Sequence, residues 1–285
     1  MDATEPADDP VPPTQNAAMT ARPAHGGDIV YRHRAATRIW HWVNALSVFV
    51  MLMSGLMIFN AHPHLYWGHY GANFDRSWLD ITPGHLRVGP FRIPTPGLLG
   101  VTPSGGRFVA VPPLVTIPSH YDLAGARRWH FAFAWLLVVP GLLYWAWGFV
   151  RRHIQRDLLP TGHEIRPSHL WHDIKEHARL RFPTGEAARH YNVLQKLAYC
   201  SVLFVLLPGV VLTGLTMSPA MDAAWPWLLD LFGGRPSARS IHFLCAMGLA
   251  FFILVHLVMV VLAGPINEVR SMITGRYRLP KEKGE

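Results

Sequence analysis

Polar and charged positions are interrupted four times along this chain by stretches that hold no Asp, Glu, Lys or Arg, at 42–59, 129–150, 197–217 and 241–263. Each has about 18 residues or more, enough as a helix rising 1.5 Å per residue to cross roughly 30 Å of hydrocarbon. Lipid offers no partners to backbone N–H and C=O groups, so a spanning segment must pair them internally, as a helix does. The pattern therefore predicts four transmembrane helices. Pro140 and Pro208 fall inside the second and third, where neighbouring helices can repair a kink.

The segments between the spans differ in kind. Residues 61–124 are dense in Pro and Gly and too long for a simple connection, which predicts an ordered cap between helices one and two. Residues 163–181 predict a short interfacial helix opened by Pro167 and Ser168, with Leu170, Trp171 and Ile174 on one side. Residues 1–30 are rich in Pro, Ala and acidic side chains and carry no apolar core of a signal peptide, which predicts a disordered tail. The expected organisation is that tail, a four-helix domain over 31–263 that includes the cap and a loop at 151–190, and a C-terminal tail over 264–285. No internal repeat is evident.

Composition agrees with an all-α membrane protein. Half of the 285 residues are apolar, 15% are charged, and the chain holds 11 Trp and 14 Phe. Cys200 and Cys245 both lie in apolar runs, which excludes a disulfide framework and favours packing over redox roles. The chain has no CxxCH motif for covalent haem attachment.

The 26 Lys and Arg residues choose an orientation, because positive loops are retained in the cytoplasm. With the N-terminus inside, four such residues up to Arg38, nine from Arg151 to Lys196 and five beyond Gly264 lie inside, leaving eight outside. The expected topology is a four-transmembrane-helix bundle. Both termini are then cytoplasmic and the cap is an extended external loop. The basic residues flank lipid-embedded spans rather than forming one stripe, which argues against a nucleic-acid partner.

Of 17 histidines, His41, His130, His242 and His256 lie in or at the edge of apolar spans. An imidazole there needs partners for both ring nitrogens. His242 and His256 are 14 residues apart, which leaves them within about 40° of one helix face and roughly 21 Å apart along it. Each can be an axial ligand to a flat macrocycle, with a histidine from another helix facing it across the ring. Helix direction places His41 and His256 at the inner level and His130 and His242 at the outer level, and so predicts those pairs. Arg38, Arg127 and Arg239 each precede a candidate ligand by three residues, in RIWH, RRWH and RSIH. One turn nearer the headgroups, they suit haem propionates or simply an interfacial belt. Zinc and ion-transport readings lack the acids or thiolates that such sites use. In the cap, His62, His64 and His69 beside Tyr66 and Trp67 suggest a docking surface rather than a metal site.

The runs RIWHWVN at 38–44, GARRWHFAFAW at 125–135, YNVLQKLAY at 191–199 and the His-X13-His of helix four resemble the bacterial di-haem cytochrome b family. This family includes the formate dehydrogenase gamma subunit, the nickel-iron hydrogenase cytochrome b subunit and thiosulfate-reductase cytochromes, within the bacterial cytochrome b561 superfamily. The resemblance covers the helices and their flanks but neither the tail nor most of the cap. It implies two haem b groups on the histidine pairs already named, and electron transfer between a periplasmic redox subunit and membrane quinone, menaquinone or ubiquinone. It also implies a quinone site at Tyr191, Asn192, Gln195 and Lys196, where Leu194 replaces a Gly common in the formate dehydrogenase pattern. Without the resemblance, Asn192 serves equally as a helix N-cap and Lys196 as a topology charge. A molybdopterin partner ranks ahead of a hydrogenase. The alternatives are a haem-free anchor for a periplasmic partner and a stand-alone oxidoreductase working between quinol and a small oxidant such as superoxide.

Overall fold

The computed structural model describes residues 27–72, 74–179 and 192–280, so the tail to residue 26 and the candidate Tyr191 lie outside the described residues. Four helical spans are present. They are α1 (Ala35–Phe59), α2 (Leu123–Val150), a third span over Val193–Thr216, and α8 (Arg235–Ala263). Every span starts four to seven residues before its uncharged run. The added first turns carry Arg38, Arg127, Arg128, Lys196, Arg235 and Arg239 and can reach the headgroup layer, where charge is tolerated. Local chemistry sets the starts. Asp122 accepts from the Gly125 N–H at 2.9 Å to cap α2, and Pro236 lies in the first turn of α8, where its missing donor costs nothing.

The third span is not continuous. α3 (Pro167–Ala178), a helix within the segment where the sequence predicts one, precedes it in sequence. The span itself then runs as α4 (Val193–Ser201), a π turn at Val202–Leu206, and α5 (Leu207–Thr216). The wide turn lies immediately before Pro208, whose ring cannot coexist with a normal bond to the carbonyl four residues back. α6 (Pro219–Ala224) and α7 (Pro226–Leu231) lead into α8.

α1 packs along α2, and α5 along α8. The shared core gathers Trp40, Val48, Leu137, Tyr144, Leu203, Leu207, Val210 and Leu249, with Trp40 stacked on Tyr144 at 5.6 Å between centroids. A Cβ added to Gly209 would lie 2.8 Å from Cys245 Sγ, so that glycine permits the close approach of α5 and α8 and gives Cys245 a packing role. On the outer surface Phe251, Leu254, Leu257 and Val261 of α8 are exposed. A helix apolar on its outward side is arranged for lipid.

The cap is ordered, as expected, and adds short strands to the helical bundle. β2 (His64–Leu65), β3 (Leu79–Thr82), β4 (His85–Val88) and β5 (Phe91–Pro94) form an antiparallel sheet in that order, and β6 (Thr102–Ser104) pairs with β7 (Arg107–Val109). Alternation gives the sheet two faces. Leu79, Ile81, Leu86 and Val88 pack with Phe59 and Phe243 at the ends of α1 and α8, while Asp80 on the other face pairs with Arg87 and accepts from Ser77. Ser240 donates to the Tyr66 carbonyl at 2.6 Å, Arg239 to the His64 carbonyl at 3.0 Å and to that of His62, tying the cap to α8.

At the opposite, tail-side end, β1 (Ile29–Tyr31) pairs with β8 (Arg276–Arg278), and α9 (Pro265–Thr274) leads into β8. Ile29 and Val30 therefore leave the expected disordered tail and join a sheet, because Val30 packs against Tyr277 and Leu279. Arg32 lies 3.8 Å from Glu268 and 4.5 Å above the Tyr277 ring. His33 beside it is buried, and burial, aided by the Arg32 charge, lowers its pKa to about 4.

Candidate functional site

The four singled-out histidines meet in two pairs. His41 of α1 faces His256 of α8 with ring centroids 6.3 Å apart and planes at 59°. His130 of α2 faces His242 of α8 at 6.2 Å and 55°. The first pair lies toward the tail-side end and the second beneath the cap. Among the described residues no hydrogen bond joins the rings of either pair. Metal–imidazole bonds are about 2 Å long, and two of them together with the half-width of each ring span about 6 Å. The spacing thus suits one metal held between two imidazoles. Three or more His, Cys, Asp or Glu side chains able to hold a bare ion are found nowhere among the described residues.

The pairs differ in what lies behind each ring. His130 Nδ1 is 3.1 Å from Ser54 Oγ of α1, and His242 Nδ1 is 3.1 Å from Thr213 Oγ1 of α5. Both hydroxyls donate to carbonyls of their own helix, Ser54 to Val50 and Thr213 to Gly209. In the other pair His41 Nδ1 is buried without a partner, as are Asn44 Oδ1 and Ser47 Oγ on the same side of α1. Buried polar atoms are seldom left unpaired, and this cluster marks a region that fits a further group. Aromatic contacts hold these rings. Trp42 meets His41 edge-on at 5.0 Å, and Phe252 lies parallel to His256 at 5.8 Å with Tyr199 against its edge.

Ser54 and Thr213 escaped the sequence reasoning, although a signal was present. Ser54-Gly55-Leu56 and Thr213-Gly214-Leu215 are alike, and an ideal Cβ on either glycine lies 3.5 Å from the Cε1 of the histidine it faces. His130 and His242 also stand at one offset, seven residues beyond the first residue of α2 and α8. The α1–α2 and α5–α8 pairs are thus built alike around the cap-side histidines, a likeness that the sequence carries only in these short motifs.

The three arginines are in unlike settings. Arg38 donates to the Ile273 carbonyl of α9, where Trp42 Nε1 also bonds the Met272 carbonyl at 3.1 Å. Arg239 spends its donors on the His62 and His64 carbonyls, and Arg127 is exposed, 5.9 Å over the Phe131 ring. Asn192 and Gln195 form a capping box at α4, with Gln195 N–H donating to Asn192 Oδ1 at 2.9 Å and Asn192 N–H to Gln195 Oε1 at 3.3 Å. The buried Lys196 donates to both oxygens of Glu164, at 2.8 and 3.0 Å. Burial pulls the Glu164 carboxyl upward, but Lys196 and the Thr161 N–H and hydroxyl more than reverse this and hold it below the ordinary carboxylate value.

A family model described as prokaryotic cytochrome b561 matches residues 32–275. A putative protein-methionine-sulfoxide reductase subunit YedZ1 of Azospira oryzae is 28% identical over 233 residues, covering 81% of this chain and 90% of that protein. Probable Ni/Fe-hydrogenase B-type cytochrome subunits of Azotobacter vinelandii and Cupriavidus necator are 24% and 23% identical, covering 89% and 88% of this chain and 90% and 88% of theirs. No solved structure matches. With four membrane-length helices and a family match across nearly the whole described bundle, the chain belongs to the prokaryotic cytochrome b561 family, integral-membrane b-type cytochromes of electron transfer.

Proposed function

We propose that this protein holds two b haems one above the other and passes electrons between a redox enzyme docked on the cap and the membrane quinone pool. The observation that carries this reading is the facing of two histidine pairs at 6.3 and 6.2 Å, each joining α8 to another helix. A b haem supplies one-electron exchange at its iron when bound. The chain supplies the rest. His41 and His256 would hold the tail-side group, His130 and His242 the cap-side group, and the apolar core would exclude water. Arg38 and Arg127 retain donors for propionates, whereas Arg239 is better read as the tether of the cap.

The orientation proposed is the one favoured by positive charge, with both termini in the cytoplasm of a bacterium and the cap outside its inner membrane. Quinone would bind near the tail-side pair at the start of α4. The capping box takes the amide oxygens of Asn192 and Gln195 and fixes the start of α4, so a quinone carbonyl would meet the side-chain NH2 of Gln195, and Lys196 would act through Glu164. Relatives named as hydrogenase and reductase subunits support a redox-enzyme partner. They favour a hydrogenase at least as much as the molybdopterin enzyme that the sequence put first.

Purified protein should show dithionite-reducible Soret and alpha bands with two haems per chain, and a soluble quinol analogue should reduce them. Absence of haem would leave a haem-free anchor. Turnover of quinol with a small oxidant by the isolated chain would favour the stand-alone oxidoreductase.

A further inference from the structure

We propose that Ser54 and Thr213 are positioning residues that hold the cap-side site at a lower reduction potential than the tail-side site, so that electrons run from the cap toward the tail-side end. This rests on the two-haem reading above. Ser54 Oγ gives its proton to the Val50 carbonyl at 2.8 Å, so toward His130 Nδ1 at 3.1 Å it accepts. Thr213 Oγ1 gives its proton to the Gly209 carbonyl and accepts from His242 Nδ1 at 3.1 Å. Each bond fixes the proton on Nδ1 and leaves the Nε2 lone pair for a metal. A bonded Nδ1–H also makes the ring a stronger donor, which favours the oxidised metal and lowers its potential.

Among the described residues the tail-side pair shows no such arrangement. His41 Nδ1 is buried without an acceptor, and the Trp42 and Phe252 contacts orient their rings without adding one. Arginine charge works against this order, since Arg127 and Arg239 each lie three residues before a cap-side histidine and Arg38 before a tail-side one, but Arg239 is turned onto the His62 and His64 carbonyls and Arg127 is exposed, which weakens the opposition. The acceptors behind Nδ1, the Ser54 and Thr213 hydroxyls together with the Met51 and Val210 carbonyls that also bond His130 and His242, are the difference that remains. In the direction they impose, the external enzyme gives up two electrons one at a time, and a quinone takes up two electrons and two protons from tail-side water.

Redox midpoints of the purified two-haem protein test this. In the wild type, the component lost in His130→Ala should be the lower of the two; if it is the higher, the inference is overturned. In Ser54→Ala and Thr213→Val the lower midpoint should rise while the upper stays fixed. A tenfold loss of preference for oxidised iron corresponds to about 59 mV for one electron. The conservative Ser54→Thr and Thr213→Ser should restore the wild-type midpoint. Unmoved midpoints in variants that retain both haems would overturn the inference and leave the two-haem reading intact. A wild type with fewer than two haems would instead overturn that reading.

Discussion

At the scale of single residues, burial and partnership decide roles. His33 is 7% exposed, and its pKa falls to about 4 because burial, then Arg32, penalises the imidazolium. The folded state therefore binds that proton less readily than the unfolded chain. Its contribution to stability is complete above the ordinary value of about 6.5 and is lost as pH falls toward 4, a span worth about 3 kcal/mol. Thermal melts should show this slope between pH 6.5 and 4, and His33→Gln should flatten it. Lys196→Met would leave the Glu164 carboxylate without its cation and should cost about 1–3 kcal/mol. Adding Glu164→Gln should recover most of that loss. The contribution of the pair is held above the ordinary carboxylate value and disappears as pH falls through the lowered pKa of Glu164. If the double variant regains stability but not quinol turnover, Lys196 or Glu164 serves the quinone as well. The four histidines were legible in the sequence because an imidazole in an apolar run is costly to bury unless its ring nitrogens are bound. Ser54 and Thr213 were not, since a hydroxyl in a membrane helix ordinarily bonds its own backbone, and only the neighbouring helix brings His130 or His242 to it.

At the scale of elements, helix pairing is set by small residues. Gly209→Ala would place a Cβ 2.8 Å from Cys245 Sγ. Overpacking there should cost about 1–3 kcal/mol and shift α5, and with it Thr213, away from α8. Cys245→Ala in the same chain should relieve it, as read by melting temperature and by cap-side haem retention. The spans were legible because lipid demands long uncharged runs. The wide turn at Val202–Leu206 was only half legible: Pro208 predicted a disturbance but not its form. The cap strands were illegible, being two to four residues long amid Pro and Gly and held by contacts with α1 and α8 rather than by their own propensity.

At the scale of the whole molecule, two ends of unlike construction enclose one bundle. The tail-side end joins Ile29–Tyr31 to Arg276–Arg278 across nearly the full chain, a pairing that no local pattern could announce. The cap end is tethered through Arg239, Ser240 and Asn60, whose side chain bonds the Val111 backbone at 2.7 and 3.1 Å. Arg239→Gln should loosen the cap and weaken capture of the redox partner while both haem spectra persist, as read by protease sensitivity of the cap and by co-purification. The claim on which the rest depends is that four histidines act as two pairs, and haem content of single and double alanine variants tests it most directly. His41→Ala, His256→Ala and their combination should each retain one haem per chain, with the same spectrum, whereas His41→Ala with His130→Ala should retain none. If joining His41→Ala to His256→Ala removes both haems, or if either single variant keeps two, the pairing is contradicted.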